Sequence, residues 1–479
     1  DLWVIGEDHI ANRAGVPSFA DCCAACGDNL QCLAFDFDPH AAQGELNCWL
    51  KKNVKCCKTS EFRISAQVCR SSSTCNSSSS SSSSSANCSS VQCGGPTPPP
   101  TPPTPQTVAM NVSIGREIVH WVLPEYASVD IDWWHNTTQS GGDWGNASIL
   151  FLDLQSAKLR NIVSALRPLF IRIGGSQDNV VKYEFNSTLD ACNAPTPFRG
   201  RPVSLCLTAQ RWDEVLEFYN STQASMIFGT SFFKNATTSQ WDSSNVEALL
   251  QYTAKGAKHQ IRVGGLELGE EMAPTSSTDF NALVKGYSRL NTMTKQLWPQ
   301  MPPTILGPSC GMADETPTNG FMQRFLNDSL SKGVLDAVNV HSYNNDGGWP
   351  NPGFLSQTLT QAQAMLDMTR EVSQFAMLFC GECGPHNGGG IANVTNTMAS
   401  SFWYLDALAR LARIGFSEFG RQALIGSHYG LLQEGTYDPN PDYFVLLAWK
   451  RFMGSAVLNT NMSSSLSSSS LSSSSLSSS

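Results

Sequence analysis

Two short stretches of this 479-residue chain place carboxylates where they could do chemistry: Glu267-Leu268-Gly269-Glu270-Glu271 and Cys380-Gly381-Glu382-Cys383. Each closes an apolar, strand-like run, QIRVGGLELGEE and AMLFCGE. Two carboxyl groups held about 5–5.5 Å apart can cleave a glycosidic bond with retention, one attacking the anomeric carbon and the other shuttling a proton. Neighbouring strand mouths can supply that spacing. Glutamates at strand ends also serve as ion-pair or helix N-cap residues, and the pattern leaves both uses open.

The elements that would position these groups repeat along the chain. PLFIRIGGS (168–176), SMIFGTSFF (225–233), PTILGPS (303–309), AVNVHSY (337–343) and QALIGSHYG (422–430) are further apolar runs ending in polar or glycine residues. Helical patterns such as Arg211–Tyr219, Asn245–Gly256 and Ala399–Ala412 lie between them. Buried strands alternating with helices are the signature of parallel βαβ units. A doubly wound sheet is the competing architecture, but no Gly-rich phosphate loop is present. Polar residues at so many strand ends favour a (β/α)8 TIM barrel, whose sites are built there.

Composition divides the chain into four zones: a cysteine-dense segment at 1–70, a Ser/Thr/Pro-rich linker at 71–107, the barrel region at 108–458 and a serine-rich tail at 459–479. The linker runs through the serines at 77–85 into PTPPPTPPTPQT, which buries too little apolar area to fold and favours extended polyproline II. The tail spaces Leu466, Leu471 and Leu476 five apart, a period of neither helix nor strand, and reads as unstructured or glycan-coated. Sixteen Cys, eight of them within the first 69 residues, predict a disulfide framework and an oxidising compartment. Glycosylation acceptors point the same way: Asn111, Asn136, Asn146, Asn186, Asn220, Asn235, Asn327 and Asn393, with Asn76, Asn87 and Asn461 in the low-complexity zones. The expectation is a mature secreted glycoprotein of the extracellular space, cell wall or matrix. A net charge of −9 excludes a basic stripe for nucleic acid and disfavours a long sulfated polyanion as substrate. No apolar run is long enough to span a bilayer.

From FIRIGGSQDNVVKY through CLTAQRWDEVLEFYNSTQASMIFG, LELGEEM, HSY and GECGPHNGGG to SFWYLDALARLARIGFSEFGRQALIGSHYGLL and YDPNPDYFVLLAWKRFMG, the chain resembles heparanase-like glycoside hydrolases of family 79. CLTAQRWDE and SFWYLDALARLAR resemble the plant β-glucuronidase side of that family. The resemblance implies Glu271 as acid/base, Glu382 as nucleophile and Tyr343 beside the nucleophile. It also implies Gly388, Gly389 and Gly390 as main-chain donors to a uronic carboxylate. Asp132 and Arg172 match substrate-pocket positions, or form a buried structural ion pair. The implied mechanism is double displacement through a glycosyl-enzyme intermediate, with no metal or cofactor.

Three departures stand out. Glu270 occupies the place of an Asn whose amide donates to the sugar 2-OH. An ionised Glu cannot donate, so the substitution implies reduced turnover. The family's C-terminal β-sandwich is missing, and Asn387 stands where animal heparanase has a tyrosine. The cysteine-dense segment, SFADCCAACGDNLQCLAFDFDP followed by LNCWLK, resembles a PAN/apple module, an α+β fold that binds proteins or carbohydrates. Its disulfide pairing stays open; Cys192 and Cys206 are expected to close one loop, and the CxxC pairs at 23–26 and 380–383 read as structural disulfides. Two functions follow. One is a retaining β-glucuronidase-type hydrolase acting on an extracellular or cell-wall glycan. The alternative is a catalytically weakened barrel serving as a structural or adhesive subunit of a glycoprotein fibril, assembled through the low-complexity segments or the PAN/apple-like module.

Overall fold

The computed structural model describes residues 9–14, 21–22, 25–26, 32, 34–37, 46–51, 64–68 and 89–91, then 108–134, 144, 147–185, 192, 195–198, 201–272, 277–312, 320–344 and 354–466. The chain forms two compact units, Asp1–Asn111 with Ser463–Ser479, and Val112–Met462.

In the larger unit eight parallel strands close into a barrel in chain order. They are β1 (Ala127–Asp132), β2 (Phe170–Gly174), β3 (Ser225–Thr230), β4 (Val263–Leu268), β5 (Thr304–Gly311), β6 (Ala337–Tyr343), β7 (Met377–Gly384) and β8 (Glu418–Arg421). β8 pairs back onto β1 through Phe419 and Ala127, which completes the ring. Helices follow: α1 (Ala157–Ser164), α2 (Ala209–Thr222), α3 (Ser244–Gln251), α4 (Ser277–Leu297), α5 (Phe321–Ser329), α6 (Phe354–Val372), α7 (Met398–Ile414) and α8 (Pro441–Phe452). The chain is therefore a (β/α)8 barrel and not a doubly wound sheet.

Local chemistry sets the helix limits. The Thr208 side chain accepts from the Arg211 N–H to start α2, and Gln223 in the left-handed conformation stops it. Trp212, Val215, Leu216 and Tyr219, at helical spacing, turn one α2 face onto the strands. Thr397 caps α7, and Gly415 at φ 133° ends it. α8 begins with Pro441 and buries Asp442, which accepts from Ser400, Ser401 and Arg421 and so ties β8 to α7 and α8.

Inside the ring the strand residues alternate between barrel and helices, so residues two apart stack in layers. Phe170, Ile227, Leu306, Ala337 and Phe379 form an apolar plug in the lower barrel. Residues further along the same strands are polar: Arg172 on β2, Asn339 and His341 on β6, and Glu382 on β7. The site stands on this plug.

Several segments differ from the expectation drawn from composition. The serine-rich tail was expected to be unstructured from 459, but the strand Ala456–Leu466 runs on and pairs with Val108–Trp121 in a two-stranded ribbon. Asn459 donates to Glu117 across it. A polar Asn-Thr-Asn-Met-Ser-Ser-Ser sequence gives no period-two signal, so pairing with a partner strand decides its conformation. Ser89–Val91, inside the expected linker, pairs parallel with Ile64–Val68. These two strands join His9–Ala14, Ala34–Phe37 and Leu46–Lys51 in a five-stranded sheet. Disulfides link Cys22 to Cys48 and Cys26 to Cys32, so Cys26 does not form the bridge to Cys23 that the CxxC spacing suggests. Cys192 and Cys206 are bonded, as are Cys380 and Cys383. Cys23, the rest of the 71–107 linker and residues 467–479, on which the fibril alternative rests, lie outside the described residues. No helix among the described residues is long and apolar enough to cross a membrane.

β7 and β8 approach so closely that a Cβ on Gly420 would sit 2.5 Å from the Gly381 carbonyl oxygen, a backbone atom that cannot swing away. Gly420→Ala is expected to destabilise the barrel by about 1–3 kcal/mol, as overpacking does. The urea midpoint should fall with an unchanged slope.

Candidate active site

Each site residue arrives on a strand end. Glu271 follows β4 across Gly269 (φ +70°), in a turn where Glu271 itself has φ +49° and its N–H donates to Ser309 O. Glu382 lies within β7 opposite His341, at a register shift between Val340 and His341. Tyr343 ends β6 and donates its hydroxyl to Glu382 Oε1. His341 Nδ1 lies 3.2 Å from Glu271 Oε1, 3.6 Å from Glu270 Oε1 and 4.0 Å from Glu382 Oε2. One carboxylate oxygen from each of Glu270, Glu271 and Glu382 and this ring nitrogen all lie within 4.8 Å of one another.

A cavity of about 430 Å³ opens above them. Its wall includes Asp132, Glu271, His341, Tyr343, Glu382, Gly388 and Gly389. Trp134, Trp144 and Tyr429 form an aromatic side, the two indoles stacked at 6.5 Å. Gly388, Gly389 and Gly390 have φ of +61°, +94° and +86°. The Gly390 N–H bonds to Asn387 O, whereas the Gly388 and Gly389 N–H groups bond no other described residue. Left-handed glycines exposing main-chain donors form a concavity suited to an anion.

Arg172 does not line the cavity. It is fully buried beneath it, and its guanidinium meets four carboxyl groups: Glu267 at 2.9–3.1 Å, Glu270 at 2.7 Å, Glu382 at 3.0 Å and Asp130 at 3.7 Å. Of the two uses left open for this residue, the ion pair is the observed one. Its partner, however, is not Asp132. Asp132 faces the cavity, accepting from the Trp134 N–H and from Gln422 Nε2, each at 3.0 Å. Glu270 is also absent from the cavity wall, its side chain turned inward to Arg172.

Burial and charge then sort the protons. Burial pushes Glu270 well above the usual carboxylate range, and Arg172 only partly opposes it. The interior therefore favours the neutral form of Glu270 more than water does, while its Oε2 stays 2.7 Å from the Arg172 guanidinium. Burial also raises Asp130, Asp178 and Glu418 well up, and Asp132 to about 7. Burial would raise Glu382 too, but His341, Arg172 and the bonds from Glu270 and Tyr343 outweigh it and hold Glu382 down to about 2. The environment thus drives the two adjacent carboxyls in opposite directions.

Sequence reasoning gave Glu267 no role of its own and missed Asn339 and the stacked indoles. Asn339 donates to Glu267 Oε1 and accepts from the Gly381 N–H, linking β4, β6 and β7 under the cavity. The available signal was a polar residue inside an otherwise apolar strand, two positions before the strand's functional end.

A closed (β/α)8 barrel with glutamates converging from the mouths of strands four and seven beneath an aromatic-walled cavity is a glycoside-hydrolase barrel. The chain belongs to glycosyl hydrolase family 79: the family's N-terminal domain profile matches residues 108–409. It is 28% identical over 384 residues to heparanase-like protein 3 of Arabidopsis thaliana, covering 73% of this chain and 68% of the relative. It is 29% identical over 380 residues to baicalin-β-D-glucuronidase of Scutellaria baicalensis, covering 70% and 69%. The matches thus span about two thirds of these relatives' lengths. Among solved structures, a GH51 arabinofuranosidase from Xanthomonas axonopodis pv. citri shares the fold, with TM-score 0.52, 12% identity and coverage of 75% and 79%.

Two outcomes test the buried charge layer. Arg172→Met leaves the surrounding carboxyls uncompensated and should cost roughly 3–5 kcal/mol in denaturant unfolding. The pH dependence follows from the shifts. A carboxyl raised in the folded state favours folding below its unfolded value and loses that contribution as pH climbs through its folded value. Glu382, held low, contributes in the opposite sense, fully above its unfolded value and lost on acidification toward 2. The melting temperature should therefore peak near pH 5 and decline toward pH 8, and Asp132→Asn should flatten the part of that decline below about 7.

Proposed function

We propose that this chain is a secreted, glycosylated retaining glycosidase of β-glucuronidase type acting on an extracellular or cell-wall glycan. The observation that supports it best is the meeting of Glu271 and Glu382 within 4.8 Å at the floor of a sugar-sized cavity. That separation suits direct attack by one carboxylate and leaves no room for the intervening water that inversion needs.

Glu382, ionised and oriented by Tyr343 and Arg172, attacks the anomeric carbon. Glu271, side chain 43% exposed at the cavity, gives its proton to the departing oxygen and then takes one from the hydrolytic water. Asp132 faces the sugar hydroxyls. The Gly388 and Gly389 N–H groups receive a uronate carboxylate, with Gly390 holding the turn, and Trp134 and Trp144 cover an apolar sugar face. Glu270 shares the Arg172 guanidinium with Glu382 and so closes the base of the carboxyl cluster. The baicalin-β-D-glucuronidase relative supports the choice of a glucuronide.

Secretion and glycosylation rest on the disulfides and on the acceptors. Asn111, Asn220, Asn235, Asn327 and Asn393 are exposed, while Asn136, Asn146 and Asn186 lie outside the described residues.

An aryl β-glucuronide is the decisive substrate. The wild type should release the phenol, with the β-anomer of glucuronic acid as first product by NMR. Glu382→Gln should lower kcat by roughly three orders of magnitude or more, on the scale of about 1.4 kcal/mol per tenfold. Glu271→Gln should spare substrates with good leaving groups, which need less protonation, and recover rate with added azide. An α-anomer as first product, or equal rates for wild type and Glu382→Gln, would sink the reading.

A further inference from the structure

The proposed nucleophile sits inside a covalently closed four-residue loop. Cys380 and Cys383 are bonded, and Gly381 and Glu382 are the two residues between them. In a regular strand, residues three apart are separated by about 10 Å, at roughly 3.3 Å per residue. Here the two Cα atoms are 6.0 Å apart, so β7 doubles back over this stretch. The pairing of β7 shows the same break on both sides. Its register with β6 shifts between Val340 and His341, and its register with β8 shifts between Cys380 and Cys383. The break with β6 falls at Gly381, immediately before Glu382, and the break with β8 spans Gly381 and Glu382.

The direction of the Glu382 side chain depends on that bulge. Successive strand residues point to opposite faces, so relaxing one extra residue back into regular pairing turns every following side chain to the other face. Glu382 would leave the carboxyl cluster for the helix side. The non-covalent restraints on this stretch are the Gly381 N–H bond to Asn339 Oδ1 at 2.8 Å, the Gln422 N–H bond to Cys383 O at 2.9 Å, the pairing of Glu382 to Gly384 with β6, and the bonds that Tyr343 and Arg172 make to the carboxylate. The Tyr343 and Arg172 bonds hold the side chain only while it already points inward.

We propose that the Cys380–Cys383 bridge is a positioning device for the nucleophile, locking the β7 bulge so that Glu382 stays aimed at the sugar. This rests on the reading of Glu382 given above. Both sulfurs are buried, Cys380 fully and Cys383 2% exposed, which makes the bridge a permanent clamp and not a solvent-reached redox sensor. Closing so short a loop removes little chain entropy from the unfolded state, and disulfide stabilisation grows with loop length. Its effect is therefore local, on catalytic geometry, and small on global stability.

The Cys192–Cys206 disulfide, with a sequence separation of 14 against 3, is the internal comparison. Cys380→Ala/Cys383→Ala should lower kcat on the aryl glucuronide about 10- to 100-fold, leave KM within about twofold and shift the acidic limb of the pH profile upward as Glu382 loses Arg172 and Tyr343. Its melting temperature should fall less than that of Cys192→Ala/Cys206→Ala, whose kcat should fall less. Unreduced, denatured wild type treated with iodoacetamide should leave Cys380 and Cys383 unmodified. Alkylation of either cysteine, an unchanged kcat and pH profile, or a Cys380→Ala/Cys383→Ala protein that does not fold would overturn the positioning role. An inactive wild type would instead overturn the assignment of Glu382, and the role that depends on it.

Discussion

The structure turns on one buried guanidinium. Arg172 stands on β2 above the apolar plug and touches carboxyl groups delivered by β1, by β4 and the turn after it, and by β7. It therefore cross-links the barrel through its interior, where hydrogen-bonded neighbours around the wall cannot. The arrangement is costly. Each charge removed from water loses several kcal/mol of solvation, and one cation cannot compensate four anions. The interior eases the excess by favouring the neutral form of Asp130 and Glu270 and spending the positive charge on a few contacts of good geometry. Glu267, gripped by Nε and one terminal nitrogen, is passed on through Asn339 to the Gly381 N–H. One continuous polar chain thus runs from Arg172 to the residue before Glu382.

That constraint explains why Glu270 and Glu382 differ. They are adjacent, both buried and both bonded to Arg172, yet Glu270 is driven up and Glu382 down. Glu382 also accepts from Tyr343 and lies within reach of His341, whereas Glu270 Oε1 makes no hydrogen bond to a donor side chain. The shared Arg172 therefore favours charge on Glu382 over charge on Glu270. The carboxylic acid that stands for an amide at 270 is thus accommodated next to Arg172. On an exposed strand end the same Glu would be an anion that repels Glu271.

The parts of this molecule legible in its sequence are those that repeat. Apolar runs with polar ends, spaced by helical periods, specify a barrel because strands and helices each leave a periodic trace. Glu271 and Glu382 are visible because they stand at strand ends within collinear motifs. Arg172 is visible as a residue with two roles left open, since IRIGG reads alike whether the arginine tops the barrel mouth or lies beneath it. The depth of a side chain depends on strand stagger around the ring, which no single strand records. The Ala456–Leu466 strand left no trace for a similar reason: its serines and asparagines have little intrinsic preference, and only the opposing Val108–Trp121 makes it a strand.

The CGEC segment shows the same limit from the other side. A CxxC pattern suggests a bridge, but in a straight strand the two sulfurs would be too far apart, on opposite faces. The pattern and the strand reading are both right only if β7 is bulged, and the bulge is what lets a glutamate in a fully buried run reach the cavity. Sequence shows the two cysteines and the carboxylate as neighbours. The barrel's register makes the first two a geometric condition on the third.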